Sequence, residues 1–593
     1  MTTEEFAEAL DRGVRAHQAG RLEEAQSCYR AALRIAPQDA EAMSLLGLAL
    51  LHGGGSDEAL PLLLRAVELE PAQSGFRINL VEGLLRANRH EEALLEAERA
   101  AASNPAALRA WRIARDLCVM RREWPRLETI ARRWAEAQPA AVEPWRALAQ
   151  AAFEQGRHQT ACGAFERVLA SAPASADDLV AYASLSLHAL RTEAAADALE
   201  EAARLAPNHA GMLGARALLR MYLGRFAEAE ADCVRSLAAD PMQASVYTTL
   251  SRLRRGRLDE GEMQGAARIA EQADANLDLR IPAAFAIAHA HDARDDLDSA
   301  MAAYERAHAL AIERDRQEQR GYEPAAVEQR VARLIDLARE RSQSAPSLEP
   351  HLRPIFIVGM PRSGTTLLES VLGAHSRVLA CGERVIMRSL LQHWLGAGNG
   401  PALEAAAPAW RSAYFAEIPE ARGRTHLTDK HPLNFEAAAL IRRLHPDAVI
   451  LNVRRRPLDV CWSIYRQEFS KHWTFAHRFE DIAHYYGCYA RLSEHWERTL
   501  GDVYVTVQYE TFVDQFDTAA ADLLRRCGLE WEEQVLRFQD SPRAIATFSS
   551  VQARSPVSLG ESRAKRYADR LAPLERALER AGVDPDTGAL IRP

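Results

Sequence analysis

The segment Gly359-Met360-Pro361-Arg362-Ser363-Gly364-Thr365-Thr366 lies between a short apolar run, Pro354–Val358 (PIFIV), and a helical-looking stretch, Leu367–Leu372. Buried strand, glycine-containing loop and helix, in that order, turn backbone N–H groups and a helix N-terminus toward an anion. Arg362, Ser363, Gly364, Thr365 and Thr366 are therefore candidate ligands of a phosphate-like group. A nucleoside-triphosphate loop of the form G-x-x-x-x-G-K-[ST] would have lysine where Thr365 stands. Without it a γ-phosphate and its Mg²⁺ lack their clamp, and the basic group is Arg362, inside the loop. Such a loop suits a nucleotide carrying a phosphosulfate. A kinase-like nucleotidase and a purely structural turn are the alternatives.

A second block has the same logic. Ala448–Val453 (AVILNV) reads as a buried strand and runs into Arg454-Arg455-Arg456-Pro457, with Ser463 eight residues beyond Arg455. Pro457 suits the first turn of a helix, which places Ser463 on its second turn. Arg455 and Ser463 can converge on one phosphate through charge-assisted hydrogen bonds. The plainer reading is a solvated basic corner.

The elements that must position these groups belong to a chain of 593 residues, 48% hydrophobic and 26% charged, long enough for several domains. A formal net charge of -9 argues against general nucleic-acid binding and leaves room for a local basic pocket. The N-terminal residues lack the basic and apolar regions of a signal peptide, and no run of about 18 apolar residues suggests a membrane span. A cytoplasmic location is expected. Eight scattered cysteines without a C-x-x-C pair read as reduced core thiols. The histidines lack metal-ligand spacing, so no metal is expected.

The first half is periodic. Prolines recur every 34 residues, at 37, 71, 105, 139, 173, 207 and 241. Glycine falls on a matching grid at 20, 54, 156 and 224, with Asn88, Arg122 and Leu190 in the remaining places. Alanines at 25, 59, 93, 161, 195 and 229 let paired helices approach closely. Tyr29, Leu63, Phe165 and Leu199, four residues after an alanine, fill the groove. Glycine permits a left-handed turn, and proline can open the next repeat. The pattern resembles tetratricopeptide (TPR) repeats over about residues 4–245. It blurs beyond Pro241, where Ala300 and Tyr304 repeat the alanine–aromatic spacing in one or two degenerate repeats. Such an array can be a spacer, a dimerisation element or a peptide-binding surface. The stretch Arg339–Arg353, rich in serine and proline, breaks the helical pattern.

On the two arginine-containing blocks, residues 352–570 resemble a sulfotransferase, nearest in style to the tyrosylprotein branch and bacterial TPR-linked relatives. The resemblance implies an α/β, P-loop-type domain with a parallel sheet that uses PAPS and releases PAP. Its PRSGTT-type loop would take the 5′-phosphosulfate end and the Arg455–Ser463 pair the 3′-phosphate. Arg456 stands where relatives commonly carry aspartate, which leaves the choice among Arg454, Arg455 and Arg456 open.

The resemblance also implies the chemistry. Cys381-Gly382-Glu383 matches a CGE segment whose glutamate acts as the base, and Thr428-Asp429-Lys430-His431-Pro432 places Lys430 by the leaving phosphate oxygen. His431 is the alternative base, since imidazole titrates near neutral pH. After a further strand, Tyr504–Gln508, Tyr509 either contacts the adenine side or packs the core. In the C-terminal loop, Ser550 would hydrogen-bond the sulfuryl group and Arg563 the nucleotide phosphate. Ala564 stands where relatives usually have tryptophan.

The expected organisation is multidomain: an all-α TPR solenoid over 1–340, a linker over 341–352 and a sulfotransferase domain over 353–593. The acceptor is expected to be a peptide or protein tyrosine hydroxyl, for which the TPR surface is a candidate holder, with a saccharide or small phenol as the alternative. A TPR scaffold with an inactive nucleotide-binding domain is the competing class. The presence together of Arg362, Glu383, Lys430, Arg455 and Ser463 speaks for activity. Because a repeat array has its own nearest-neighbour core, residues 1–340 are expected to be removable without loss of PAP binding.

Overall fold

The computed structural model describes residues 3–339, 352–398, 401–469, 471–541, 543–547, 550–554 and 562–591. The expected linker lies outside these residues, apart from Leu352, which is buried.

The first half is a succession of paired helices, from Thr3–Gln18 and Leu22–Ile35 through Ala40–His52 and Ser56–Leu69 to Ala210–Tyr222 and Phe226–Ala239. The grid alanines 25, 59, 93, 161, 195 and 229 are all fully buried, as are Tyr29, Leu63 and Leu199. The turn position of each repeat is left-handed whatever residue occupies it. Gly20, Gly54, Gly156 and Gly224 share positive φ with Asn88, Arg122 and Leu190. Geometry is therefore kept at that place even where glycine is not. The periodic prolines do not begin helices. Pro37 precedes the helix Ala40–His52 by three residues, in the turn after Leu22–Ile35, where a residue that cannot continue the helix ends it sharply. Beyond Pro241 the pairs continue as Ala244–Leu253 with Glu260–Glu271 and Leu277–Ala293 with Leu297–Gln317. A further helix follows, Pro324–Arg339.

Five strands follow: β1 (Arg353–Gly359), β2 (Val378–Ala380), β3 (His426–Asp429), β4 (Val449–Arg454) and β5 (Tyr504–Gln508). They form one parallel sheet in the order β2-β3-β1-β4-β5. The chain leaves β1 toward β2 and β3, then returns to the other side for β4 and β5. The C-terminal ends of β1 and β4 therefore flank the switch point at which open parallel sheets bind ligands. Along β1, side chains alternate between two apolar layers. Ile355 and Ile357 pack with Leu368, Val371 and Leu523, whereas Phe356 and Val358 join a larger core.

That larger core joins the repeats to the sheet. Phe285, Tyr304, Ala307 and Leu334 from the late repeat helices share one buried cluster with Phe356, Leu427, Ile450, Trp462 and Tyr465. The chain accordingly packs as two compact units, Met1–Gln155 with Thr160–Pro173, and Gly156–Gln159 with Ala174–Pro593. The packing boundary falls inside the repeats and not at the sequence linker. The reason is physical: the late helices carry large apolar side chains whose burial is completed by the α/β layer. Polar contacts reinforce it. Asp292 pairs with Arg466 and accepts from the Tyr567 hydroxyl at 2.8 Å. Ring nitrogens of His289 and His308 hydrogen-bond the carbonyls of Arg466 at 2.8 Å and Tyr465 at 2.7 Å.

All eight cysteines are free and buried. No helix among the described residues is long and apolar enough to cross a membrane.

Candidate functional site

The loop after β1 turns through left-handed backbone at Arg362 and Gly364 and enters the helix Thr365–Gly373. A Cβ on Gly364 would stand 2.3 Å from the Tyr509 ring, so the loop needs glycine both for its φ of 111° and for the tyrosine beside it. Ser363 is buried, and its hydroxyl has no hydrogen-bond partner among the described residues. Leaving a buried hydroxyl unmatched is costly; an anion in the loop would satisfy it.

Arg362 lies at the centre of the basic groups. Its Nε donates to Ser463 Oγ at 3.1 Å and a terminal nitrogen donates to Gln552 Oε1 at 3.2 Å. Arg455 donates to the Arg362 carbonyl at 3.4 Å and stacks its guanidinium over the Tyr509 ring, 4.6 Å from the centroid. Arg362 thus touches both residues of the expected Arg455–Ser463 pair, Arg455 through its own backbone carbonyl and Ser463 through its side chain. Burial first, and then the charges of Arg455, Arg466, Arg563 and Arg252, push the Arg362 guanidinium down to about 9. Arg563 is lowered as well, chiefly by Arg466. Such a concentration of cations suits a ligand with several negative charges.

The three consecutive arginines separate by their partners. Arg454 pairs with Glu497 at 3.1 Å, and Arg456 lies 3.9 Å from Asp459 and 3.7 Å from Asp586. Arg455 faces Arg362 and Tyr509. Tyr509 therefore packs on the loop itself, as well as against the core behind it.

A second group forms at the ends of β2 and β3. Lys430, fully buried, places Nζ 2.5 Å from Glu383 Oε1, and its backbone N–H donates to the Gly382 carbonyl at 2.8 Å. The Glu383 side chain keeps 41% of its surface exposed, so the carboxylate is open on one side and held by an ammonium on the other. Buried Glu369, on the helix Thr365–Gly373, ties this group to the loop: its Oε1 accepts from the Gly382 N–H at 2.8 Å and from Thr428 Oγ1 at 3.1 Å. Sequence reasoning missed Glu369, although a carboxylate amid Leu367–Leu372 was a visible break in an apolar helix. Burial, helped by Arg388 and Lys430, pushes the His431 imidazole down to about 3, so it is neutral and a weak proton acceptor near pH 7. The neighbouring Asp429 is raised to about 7, mainly by burial.

Ser550 is fully buried and accepts a hydrogen bond from Arg252 at 3.2 Å. Thr365 and Thr366 are also buried, and Thr366 Oγ1 is 3.4 Å from Thr547 Oγ1. Phe548, Ser549 and Pro556 of the C-terminal loop lie outside the described residues. Elsewhere, Glu328, His484 and Cys488 bring three potential metal-ligating atoms within 4.8 Å of one another. Arg491 already donates to that Glu328 oxygen at 2.5 Å and to Cys488 Sγ at 3.3 Å, which supplies positive charge there.

A five-stranded parallel sheet with an arginine-bearing loop at its switch point defines an α/β domain fused to helical repeats. Residues 354–533 match the family described as the sulfotransferase family, and residues 10–74, 125–176 and 146–210 match the tetratricopeptide repeat. The chain thus carries a sulfotransferase-family domain together with TPR repeats. An uncharacterized protein of Aquifex aeolicus (strain VF5) is 31% identical over 248 residues, covering 39% of this chain and 33% of that one. Protein-tyrosine sulfotransferase 2 of Gallus gallus is 25% identical over 211 residues, 31% of this chain and 54% of its own length. Protein-tyrosine sulfotransferase 1 of Danio rerio is 29% identical over 210 residues, 31% and 56% respectively. The chain therefore spans between a third and just over half of the length of these relatives. Among solved structures, that of Pseudomonas aeruginosa pilF is 16% identical with a TM-score of 0.27, covering 35% of this chain and 95% of its own.

Proposed function

We propose that the protein transfers a sulfuryl group from PAPS to an acceptor hydroxyl, with a peptide or protein tyrosine as the preferred acceptor. The observation that carries the reading is the convergence of Arg362, Arg455 and Ser463 on the loop at the switch point, with cations in excess and the buried Ser363 hydroxyl unmatched. The tyrosine acceptor is supported by the similarity to protein-tyrosine sulfotransferases, and the Cys381-Gly382-Glu383 segment agrees with it. A saccharide or small phenol remains the alternative acceptor. Residues 353–593 carry the chemistry in this reading, and the TPR surface presents the acceptor.

PAPS, when bound, supplies the sulfuryl group and a phosphate leaving group. In the proposed assignment, Arg455 and Ser463 hold the 3′-phosphate and Arg563 assists with the nucleotide phosphate. Loop residues 362–366 hold the phosphosulfate end. Glu383 takes the acceptor proton as the new O–S bond forms. Arg362 and Lys430 neutralise charge as the bond from sulfur to the phosphate oxygen breaks, and Ser550 donates a hydrogen bond to the sulfuryl oxygens. PAP leaves with the electron pair of that bond.

Calorimetry with PAP and ATP tests the reading of the site. Tight binding of PAP without Mg²⁺ is expected; tight Mg²⁺-dependent ATP binding with none to PAP would favour a kinase-like enzyme. Arg455→Ala is expected to weaken PAP binding roughly 10- to 100-fold, since a charge-assisted contact is worth about 1.5–3 kcal/mol. Ser463→Ala should cost less. Unchanged affinity in Arg455→Ala would move the 3′-phosphate to Arg454 or Arg456.

A further inference from the structure

The segment that carries Ser550 is held by the repeats. Arg252 lies in the last turn of the repeat helix Ala244–Leu253, and one of its terminal nitrogens donates both to the Thr547 carbonyl at 2.7 Å and to Ser550 Oγ at 3.2 Å. Thr547 in turn meets Thr366 of the phosphate loop. The flanks of the same segment hang on another repeat helix, Ala210–Tyr222. The Ile545 N–H and an Arg554 nitrogen both donate to the Tyr222 carbonyl at 3.0 Å. Arg554 also lies over the repeat turn at Gly224, where a Cβ would come within 2.8 Å of its Nε. The Tyr222 side chain interacts electrostatically with Arg252 and also feels the charge of Glu383. A single guanidinium thus links a repeat helix to the Ser550 hydroxyl, to the loop through Thr547 and, through a phenol, to the neighbourhood of the proposed base.

We propose that Arg252 is a positioning residue for the transfer, so that the repeat array completes the catalytic site as well as adjoining it. The inference rests on the function proposed above. Arg252 fixes the hydroxyl that meets the transferring group and adds to the positive field around Arg362. Its loss should therefore act on the chemical step more than on nucleotide binding, which Arg455, Ser463 and the loop provide.

The test uses the full chain with labelled PAPS and a pool of tyrosine peptides and simple phenols, alongside PAP calorimetry. Misplacing a catalytic group can cost about 10²-fold, so Arg252→Ala is expected to lower kcat by about that factor while PAP affinity stays within about threefold. Arg252→Lys should recover part of the loss. Ser550→Ala added to Arg252→Ala should cost much less than Ser550→Ala alone, because both changes remove the same placement. If Arg252→Ala does not fold, the Lys variant and its cycle with Ser550→Ala carry the test; additive losses would overturn the inference. A wild-type chain that neither binds PAP nor transfers overturns the proposed function and this inference together. A wild type that transfers while Arg252→Ala matches its kcat overturns this inference alone.

Discussion

Glu383→Gln is expected to lower turnover by about 10²–10⁴ while PAP binds as in the wild type. The change keeps shape and hydrogen bonding but removes the group that takes the proton. The surroundings favour this role: the carboxylate is half open to an incoming acceptor, and buried Lys430 fixes its other side at 2.5 Å. His431 is buried and depressed to about 3, so a proton placed on it near pH 7 would be held poorly. A phenol has a reference pKa of about 10, so a tyrosine-like acceptor increasingly ionises by itself as pH rises, and the variant should be partly rescued there. A sugar hydroxyl would show no rescue in that range. The pH profile of the variant therefore reports base and acceptor class together. Near wild-type turnover in Glu383→Gln with a dead His431→Ala would give the role to the histidine.

A chain beginning at residue 345 is expected to be insoluble or to lack a cooperative melt, and with it PAP binding. Such a chain loses Phe285, Tyr304 and Leu334 from the core that holds Phe356, Trp462 and Tyr465. It also leaves buried Arg466 without Asp292; breaking one buried ion pair in this way costs about 3–5 kcal/mol, a large part of ordinary domain stability. A chain beginning at residue 156 keeps the contacts of the second unit and should melt cooperatively with PAP bound. Thermal unfolding followed by circular dichroism, with and without PAP, distinguishes the two. A soluble 345–593 fragment that binds PAP like the full chain would contradict the shared core.

The sequence made the strong, local signals legible. The 34-residue period located the helix pairs, and apolar runs located β1, β4 and β5 to within a residue at each end. β2 and β3 have only three and four residues, too few for alternation to stand out. The strand–loop–helix elements that carry the loop and the Arg455–Ser463 block were readable because their pattern is local in the chain. Glu369 showed only as a carboxylate in an apolar helix, and Arg252 and Tyr222 did not show at all, since each touches a partner far away in sequence and a lone arginine on a repeat helix looks like any solvated charge. The shared core was missed for the same reason. Periodicity shows that a helix has an apolar face without showing that the α/β layer covers it.

Sulfuryl transfer is tested by incubating the purified full chain with sulfur-labelled PAPS and separate pools of tyrosine peptides, glycans and simple phenols. Label is expected on a hydroxyl acceptor, with tyrosine peptides preferred, stoichiometric release of PAP, and loss of both in Glu383→Gln. Label confined to glycan would move the acceptor class. Absence of transfer to every pool, from a folded chain that hydrolyses ATP with Mg²⁺, would contradict sulfuryl transfer itself.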